Sequence, residues 1–277
     1  MSPSFGIYPR ERNAACRVRD IRRPVWEAPL RGRLARMRDR VSLGKIVPDL
    51  MTDLTTEERA WVLRNLIVPQ ISVAPGVWDW QSVPAPRAGV LLLTGLLAHR
   101  VTIAGQLGAD LLGPNHVVQP WHSEPKVAQL VDHYEWRALA PTTFAVLDRE
   151  YMAAVARIPA LAPSLAAISI DHSSMAACQM AILAQPHMED RLLMLFWHFA
   201  ERWGKVTPAG VEVSLPGLTQ TILAEAIAAG RQSVNRAMTL LRALDLLQGE
   251  HGTWLLHSDA SSARMALQQH RAHDTAA

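Results

Sequence analysis

The chain has 277 residues, 49% of them apolar, enough for one large domain or two ordinary ones with a substantial core. Its formal net charge is only +3, but residues 1–40 carry 11 Lys and Arg against 4 Asp and Glu, residues 41–204 carry 11 against 15, and residues 205–277 carry 6 against 6. Two cysteines, Cys16 and Cys178, exclude a disulfide scaffold and a four-cysteine metal site, and the longest nearly apolar run, Ala88 to Ala98, falls far short of the roughly 20 residues a membrane helix needs.

In chain order, residues 1–40 alternate Arg with Pro, Gly and Ala without a clean period and read as a basic, disordered arm. No apolar segment follows the early charges as in a secretory signal, so the expectation is a soluble, cytoplasmic protein without membrane contact. "LTTEERAWVLRNL" then starts a helix. Thr55 can cap it, Glu57 and Glu58 suit its N-terminus, and Trp61, Leu63 and Leu66 follow at helical spacing. Between Val68 and Leu147 short apolar runs are broken by Gly, Pro, Asn and Asp about every 8–12 residues, the texture of a sandwich or barrel of short strands.

From Asp148 the pattern is helical. "DREYMAAVARIPAL" is a short helix ending near Pro159. Pro163 to Ala184 is apolar at Leu165, Ile168, Met175, Cys178 and Ile182, a long helix suited to a dimer seam. "PHMEDRLLMLFWHFAERWG" has early acids, Glu189 and Asp190, and stops at Gly204. "VEVSL" reads as a strand, "LTQTILAEAIAA" as a helix capped by Thr219, "RQSVNRAMTLLRALDLL" as a second helix, and "QGEHGTWLL" as a wing turning at Gly249 and Gly252. Strand, helix, short turn, helix and wing outline a winged helix-turn-helix.

A barrel-like domain, a long helix and a winged helix-turn-helix, with Leu218, Thr219 and Gln220 followed by Arg231, Gln232 and Arg236, resemble the Crp/Fnr family of bacterial transcription regulators. The resemblance spans roughly residues 43–257 and is weaker in the first domain, where Gly108 to Pro114 ("GADLLGP") is similar to the family's glycine-aspartate turn. It implies an α+β fold: a β-barrel or jelly-roll domain like those that bind cyclic nucleotides (41–160), a dimerisation helix (161–186), and a winged helix-turn-helix that binds DNA (187–260). A basic arm (1–40) and a tail (261–277) flank them.

Three departures concern DNA reading. Ala228 stands where the family has glycine in its turn, and Gly230 stands where its second helix usually begins after serine. Gln232 replaces an acid; glutamine suits adenine, whereas a carboxylate accepts from cytosine. In the first domain Pro114 takes the position of the family's ribose-binding glutamate. Asp132, followed by His133, falls near that of its phosphate-binding arginine, and a carboxylate repels phosphate. A family-type cyclic-nucleotide site is therefore not expected, nor an iron–sulfur sensor, and any effector stays unidentified.

The implied function is a homodimeric, sequence-specific regulator on an inverted-repeat operator, with double-stranded DNA as partner and RNA polymerase as a further candidate. Arg231 and Arg236 would read bases beside Gln232 and Asn235, while Ser233, Thr219 and Gln220 would contact phosphate. One alternative is an effector-independent DNA binder with a structural barrel. Another is a cupin-like metal enzyme using His116, His122 and Glu124, although these read more simply as polar loop residues and the expectation is no metal, no cofactor and no enzyme. Trp197, Phe199 and Trp203, and Trp78, Trp80 and Trp121, read as packing residues. The N-terminal arginines read as a solvated tail, with a DNA minor-groove arm as the alternative.

Overall fold

The computed structural model describes residues 36–83, 88–120, 130–250 and 252–276, with the backbone alone for 36–39, 165–174, 250 and 274–276. The chain runs β1 (Arg36–Ser42), α1 (Leu43–Ile46), α2 (Thr56–Asn65), β2 (Ile67–Val73), β3 (Gly76–Val77), β4 (Gly89–Thr94), β5 (Leu97–Ile103), β6 (Gln106–Leu112), β7 (Val117–Val118), β8 (His133–Ala138) and β9 (Thr142–Leu147). It continues with α3 (Arg149–Arg157), α4 (Leu161–Leu183), α5 (Met188–Trp203), β10 (Gly204–Thr207), β11 (Gly210–Ser214), α6 (Gln220–Ala226), α7 (Arg231–Ala243), β12 (Leu247–Glu250), β13 (Thr253–Leu256) and α8 (Ala260–Ala276).

Of the sandwich or barrel that the short runs suggest, the described strands of the first half take the two-sheet form, β1-β2-β9-β4-β7 and β3-β8-β5-β6, both antiparallel, and not the barrel or jelly-roll that the resemblance implies. The apolar run of β4 gives the reason. A sheet strand sends successive side chains to opposite faces. Val90 and Leu92 enter the core between the sheets, where Trp78 stacks on Phe144 at 4.7 Å, while Leu91 and Leu93 enter a second core beneath α1, α2 and α3. β9 repeats this with Phe144 and Val146 on one side and Ala145 and Leu147 on the other. Both faces are covered, so the sheet need not close on itself.

Two further expectations change. The arm placed over residues 1–40 ends in β1, which pairs antiparallel with β2 from Arg36↔Ser72 to Ser42↔Ile67. A strand whose partner lies thirty residues on leaves no local period. The remainder of the arm, residues 1–35, lies outside the described residues. Thr55 and Glu58 form a reciprocal capping box on α2, and of Trp61, Leu63 and Leu66 the last is buried just past the helix end, beside Val62 within it, while the other two are half-buried. The tail placed over residues 261–277 is α8, which buries Ala263 and Leu267 in the same core as α5 and α7 and pairs Arg271 with the buried Asp190 at 3.0 Å.

The second sheet is also buried on both faces at the end holding Leu97, Leu112 and Ala138, and this positions the C-terminal unit. Leu97, Leu112, Trp136 and Ala138 point between the sheets. Ala98 and Leu111, one residue out of step, join Leu96 in a third core with Phe196, Phe199, Leu223 and Leu241. Alternation puts Arg100, Glu135 and Arg137 on this same outer face. Arg100 stands opposite Glu135 in the strand register and meets its carboxylate, which also accepts from Arg137 at 2.9 Å. Arg100 reaches across to Glu225 of α6 with Nε and Nη2 at 2.8 and 2.7 Å. Burial alone would raise the Glu135 carboxyl, but Arg137 and Arg100 outweigh it and hold it below its ordinary value. At the end of α5, Arg202 donates to Nε2 of the buried His116, and the ring's Nδ1 donates to the Gly113 carbonyl at 3.0 Å.

Two expectations follow. Leu267→Ala should cost about 2–5 kcal/mol in denaturant unfolding, a core-sized loss that a free tail would not show. Glu135→Gln should be less stable than the wild type at neutral pH. Because the folded-state carboxyl is depressed, the wild type loses this contribution as pH falls below the ordinary carboxylate value of 4.5, so the gap should close in acid.

Candidate nucleic-acid interface

The sequence "LTQTILAEAIAAGRQSVNRAMTLLRA" builds two helices because each end has its own stop and start. Thr219 caps α6, its hydroxyl accepting from the Ile222 amide at 3.3 Å. Ile222, Leu223, Ala224 and Ala226 are buried, so the short helix is held by packing. Ala228 ends it at φ +50, and the Ala229 amide bonds back to the Ala224 carbonyl at 2.8 Å. This is the left-handed residue that follows many helices and is usually glycine. Gly230 opens α7 in extended conformation without a side-chain cap, as the sequence leads one to expect.

On α7 the buried residues are Val234, Ala237, Met238 and Leu241, a stripe at i, i+3, i+4 and i+7. Arg231, Gln232, Ser233, Asn235 and Arg236 all face solvent. The polar face is thus set by helical period as well as by position: Val234 already faces inward in the first turns. Within Arg231–Ala243 there are three arginines and no acid.

Arg231, Gln232, Asn235 and Arg236 line one open hollow together with Gln220 of α6. Gln220 Nε2 donates to Asn235 Oδ1 at 3.1 Å, which ties the two helices together across their solvent side. Thr219 lies apart from this group. It lines a second hollow on the wing side, with Gln220, Met238, Arg242 and Trp254. Ser233 is exposed on α7 but lines neither hollow.

Arg242 is the residue that sequence reading overlooks. It is exposed on the last turn of α7, donates to the Gly249 carbonyl of the wing at 3.3 Å, and lies 5.9 Å from the Trp254 ring centre. Its signal was the recurrence of arginine at 231, 236 and 242. β12 and β13 form the wing, and β11 pairs with β13, so the strand ahead of α6 and the wing behind α7 share one sheet. β10 extends that sheet and was not foreseen.

The other candidate sites fare differently. Asp132 accepts from the Gly105 amide at 2.9 Å and so braces the β5–β6 turn. Of the suggested metal cluster, His122 and Glu124 lie outside the described residues, as does Trp121. Among the described residues no group of three or more His, Cys, Asp or Glu could hold a metal ion. Trp78 is buried, and Phe199 stacks on Trp203 at 5.7 Å within the third core. Among the described residues no helix is long and apolar enough to cross a membrane.

No protein-family model and no curated protein sequence matches the chain. Solved structures do. FixK2 from Bradyrhizobium japonicum matches with TM-score 0.53 at 13% identity, over 71% of this chain and 96% of its own. A CooA mutant from Carboxydothermus hydrogenoformans matches with TM-score 0.53 at 16% identity, over 83% and 97%. A cyclic nucleotide-binding domain containing protein from Listeria monocytogenes EGD-e matches with TM-score 0.54 at 12% identity, over 78% and 97%. The chain shares the fold of these three proteins. Within that fold the sheets of the first half and the winged helix-turn-helix follow in the expected order.

The strained turn makes a direct test. A left-handed conformation costs an L-residue about 1–2 kcal/mol, and glycine's extra freedom in the unfolded chain takes back about half of that. Ala228→Gly should therefore raise stability by roughly 0.5–1 kcal/mol. Ala228→Val should lower it, both read as changes in Tm.

Proposed function

We propose that this chain is a sequence-specific DNA-binding transcription regulator of the Crp/Fnr type, acting as a homodimer. One observation carries the reading: the second helix of a helix-turn-helix presents an acid-free face on which Arg231, Gln232, Asn235 and Arg236 share one open hollow. A helix of this shape fits a major groove, and phosphates on either side favour a face without carboxylates. Arg231 and Arg236 pair with guanine edges. Gln232 pairs with adenine. Gln220 holds Asn235 in place, and Thr219, Ser233 and Arg242 take backbone phosphates.

The dimer seam is α4. Its last turns leave Ala177, Cys178, Met180, Ala181 and Ala184 exposed, with Met180 at 67%, while Ile182 turns inward to the third core. A second copy of the same helix would cover that face. Of the seam face expected from sequence, Leu165 and Ile168 belong to the stretch described by backbone alone. Two-fold symmetry then sets two reading helices roughly 34 Å apart, on half-sites one DNA turn apart. Binding weakens as salt rises, because each phosphate contact releases counterions.

The stacked Trp78 and Phe144 fill space between the two sheets, and this favours the effector-independent form of the reading, in which the first half is a structural frame. Titrating candidate small molecules against DNA affinity separates the two forms.

Selection from randomised duplex should yield an inverted repeat. Arg236→Ala should then lose about 1–3 kcal/mol of discrimination at one base pair of each half-site, leaving the others intact. Unselective binding by the wild type, or unchanged selectivity in Arg236→Ala, overturns the reading.

A further inference from the structure

The outer face of the second sheet carries a polar joint that DNA reading does not use. Arg100 lies in β5, Glu135 in β8 and Glu225 in α6, 125 residues further along the chain. Arg100 gives two bonds to one carboxylate and one to the other, and its side chain is only 19% exposed, with Glu135 and Glu225 at 10% and 9%. Bidentate geometry fixes both distance and angle, which a single ammonium–carboxylate contact does not.

A third element enters at the same place. Gln179 of α4 donates through Nε2 to the Ala109 carbonyl of β6 at 3.2 Å and to the Ala226 carbonyl at the end of α6 at 3.3 Å. Ala109 is the strand partner of Arg100, so the glutamine and the arginine grip adjacent points of one hairpin. Gly217 closes the approach just ahead of α6. It sits at φ +77, and a Cβ there would lie 2.0 Å from the Leu139 carbonyl oxygen. Seam helix, sheet and reading head therefore meet through directional bonds as well as through apolar packing.

We propose that Arg100, Glu225 and Gln179 are positioning residues that set the separation of the two reading helices in the dimer, and hence the half-site spacing the protein accepts. The inference rests on the DNA-reading and dimer assignments above. A reading head held only by apolar contact could rock over the sheet, since burial is nearly blind to direction. A two-pronged ion pair and a glutamine with two carbonyl partners cannot be satisfied at another angle. None of the three faces the hollow of α7, so their loss leaves the base-reading residues in place.

The test uses the full-length protein and a set of inverted repeats that differ only in the spacer, one or two base pairs either side of the selected length. The wild type should prefer one spacer. Glu225→Gln, which keeps shape and loses charge, should reduce that preference by roughly tenfold or more while selecting the same half-site sequence. Gln179→Ala should act in the same direction, and Arg100→Lys, which keeps charge but not the fork, should fall between. Hydrogen exchange without DNA reads the joint itself. Amides Leu223 to Ile227 should exchange faster in Glu225→Gln, with β2 and β9 unchanged as an internal measure of folding. Unchanged exchange overturns the joint. A sharp spacer preference that survives in both Glu225→Gln and Gln179→Ala overturns the spacing role alone. A wild type that selects no inverted repeat overturns the DNA reading, and the spacing role with it.

Discussion

A sheet covered on both faces can hold charge only where something beyond it supplies the opposite charge. The second sheet is under that constraint. One face belongs to the core around Trp136 and the other to the core around Phe199, yet the outer face carries Arg100, Glu135 and Arg137. Isolated, each would be costly to bury. They are tolerable because β5 and β8 set Arg100 against Glu135 and because α6 brings Glu225 down onto the same guanidinium. The arrangement is mutual. The helix-turn-helix covers the sheet, and the sheet supplies the partner for the only acid in α6.

Such a pairing does less for net stability than its geometry suggests, because desolvation offsets much of the attraction between charges. Its contribution is directional. The apolar contacts of Leu96, Ala98 and Leu111 with α5 and α6 supply adhesion, and the polar contacts select one orientation. The same division appears at the end of α5. Trp203 packs so closely on Gly113 that a Cβ there would fall 2.4 Å from the ring, and the Arg202–His116 bond fixes how the helix end sits.

The sequence was most readable where local rules act alone. The Thr55 cap of α2, the Gly204 stop of α5 and the Thr219 cap of α6 all lie where short-range chemistry places them. The polar face of α7 was equally legible, because its helical period is strong and its start is marked. What escaped was set by distance along the chain. β1 exists because β2 accepts it, and α8 because α5 offers an apolar surface and a buried Asp190. Arg100 and Glu225 give no sign of each other across 125 residues. Sandwich and barrel could not be told apart for a related reason. A run such as "VLLL" reads the same for a strand inside a barrel and for one between two cores, and only the tertiary layers decide.

The third core gathers Leu96 from the start of the second sheet and Leu267 from α8 into one cluster. On a ribosome these residues emerge far apart in time, and folding there proceeds largely from the N-terminal side. The sheets can pair early, but the apolar outer face of β5 and β6 must wait for α5, α6 and finally α8. A chain halted before Ala260 would carry formed sheets and a third core open where α8 should close it. Incomplete products would therefore be good clients for chaperones and proteases.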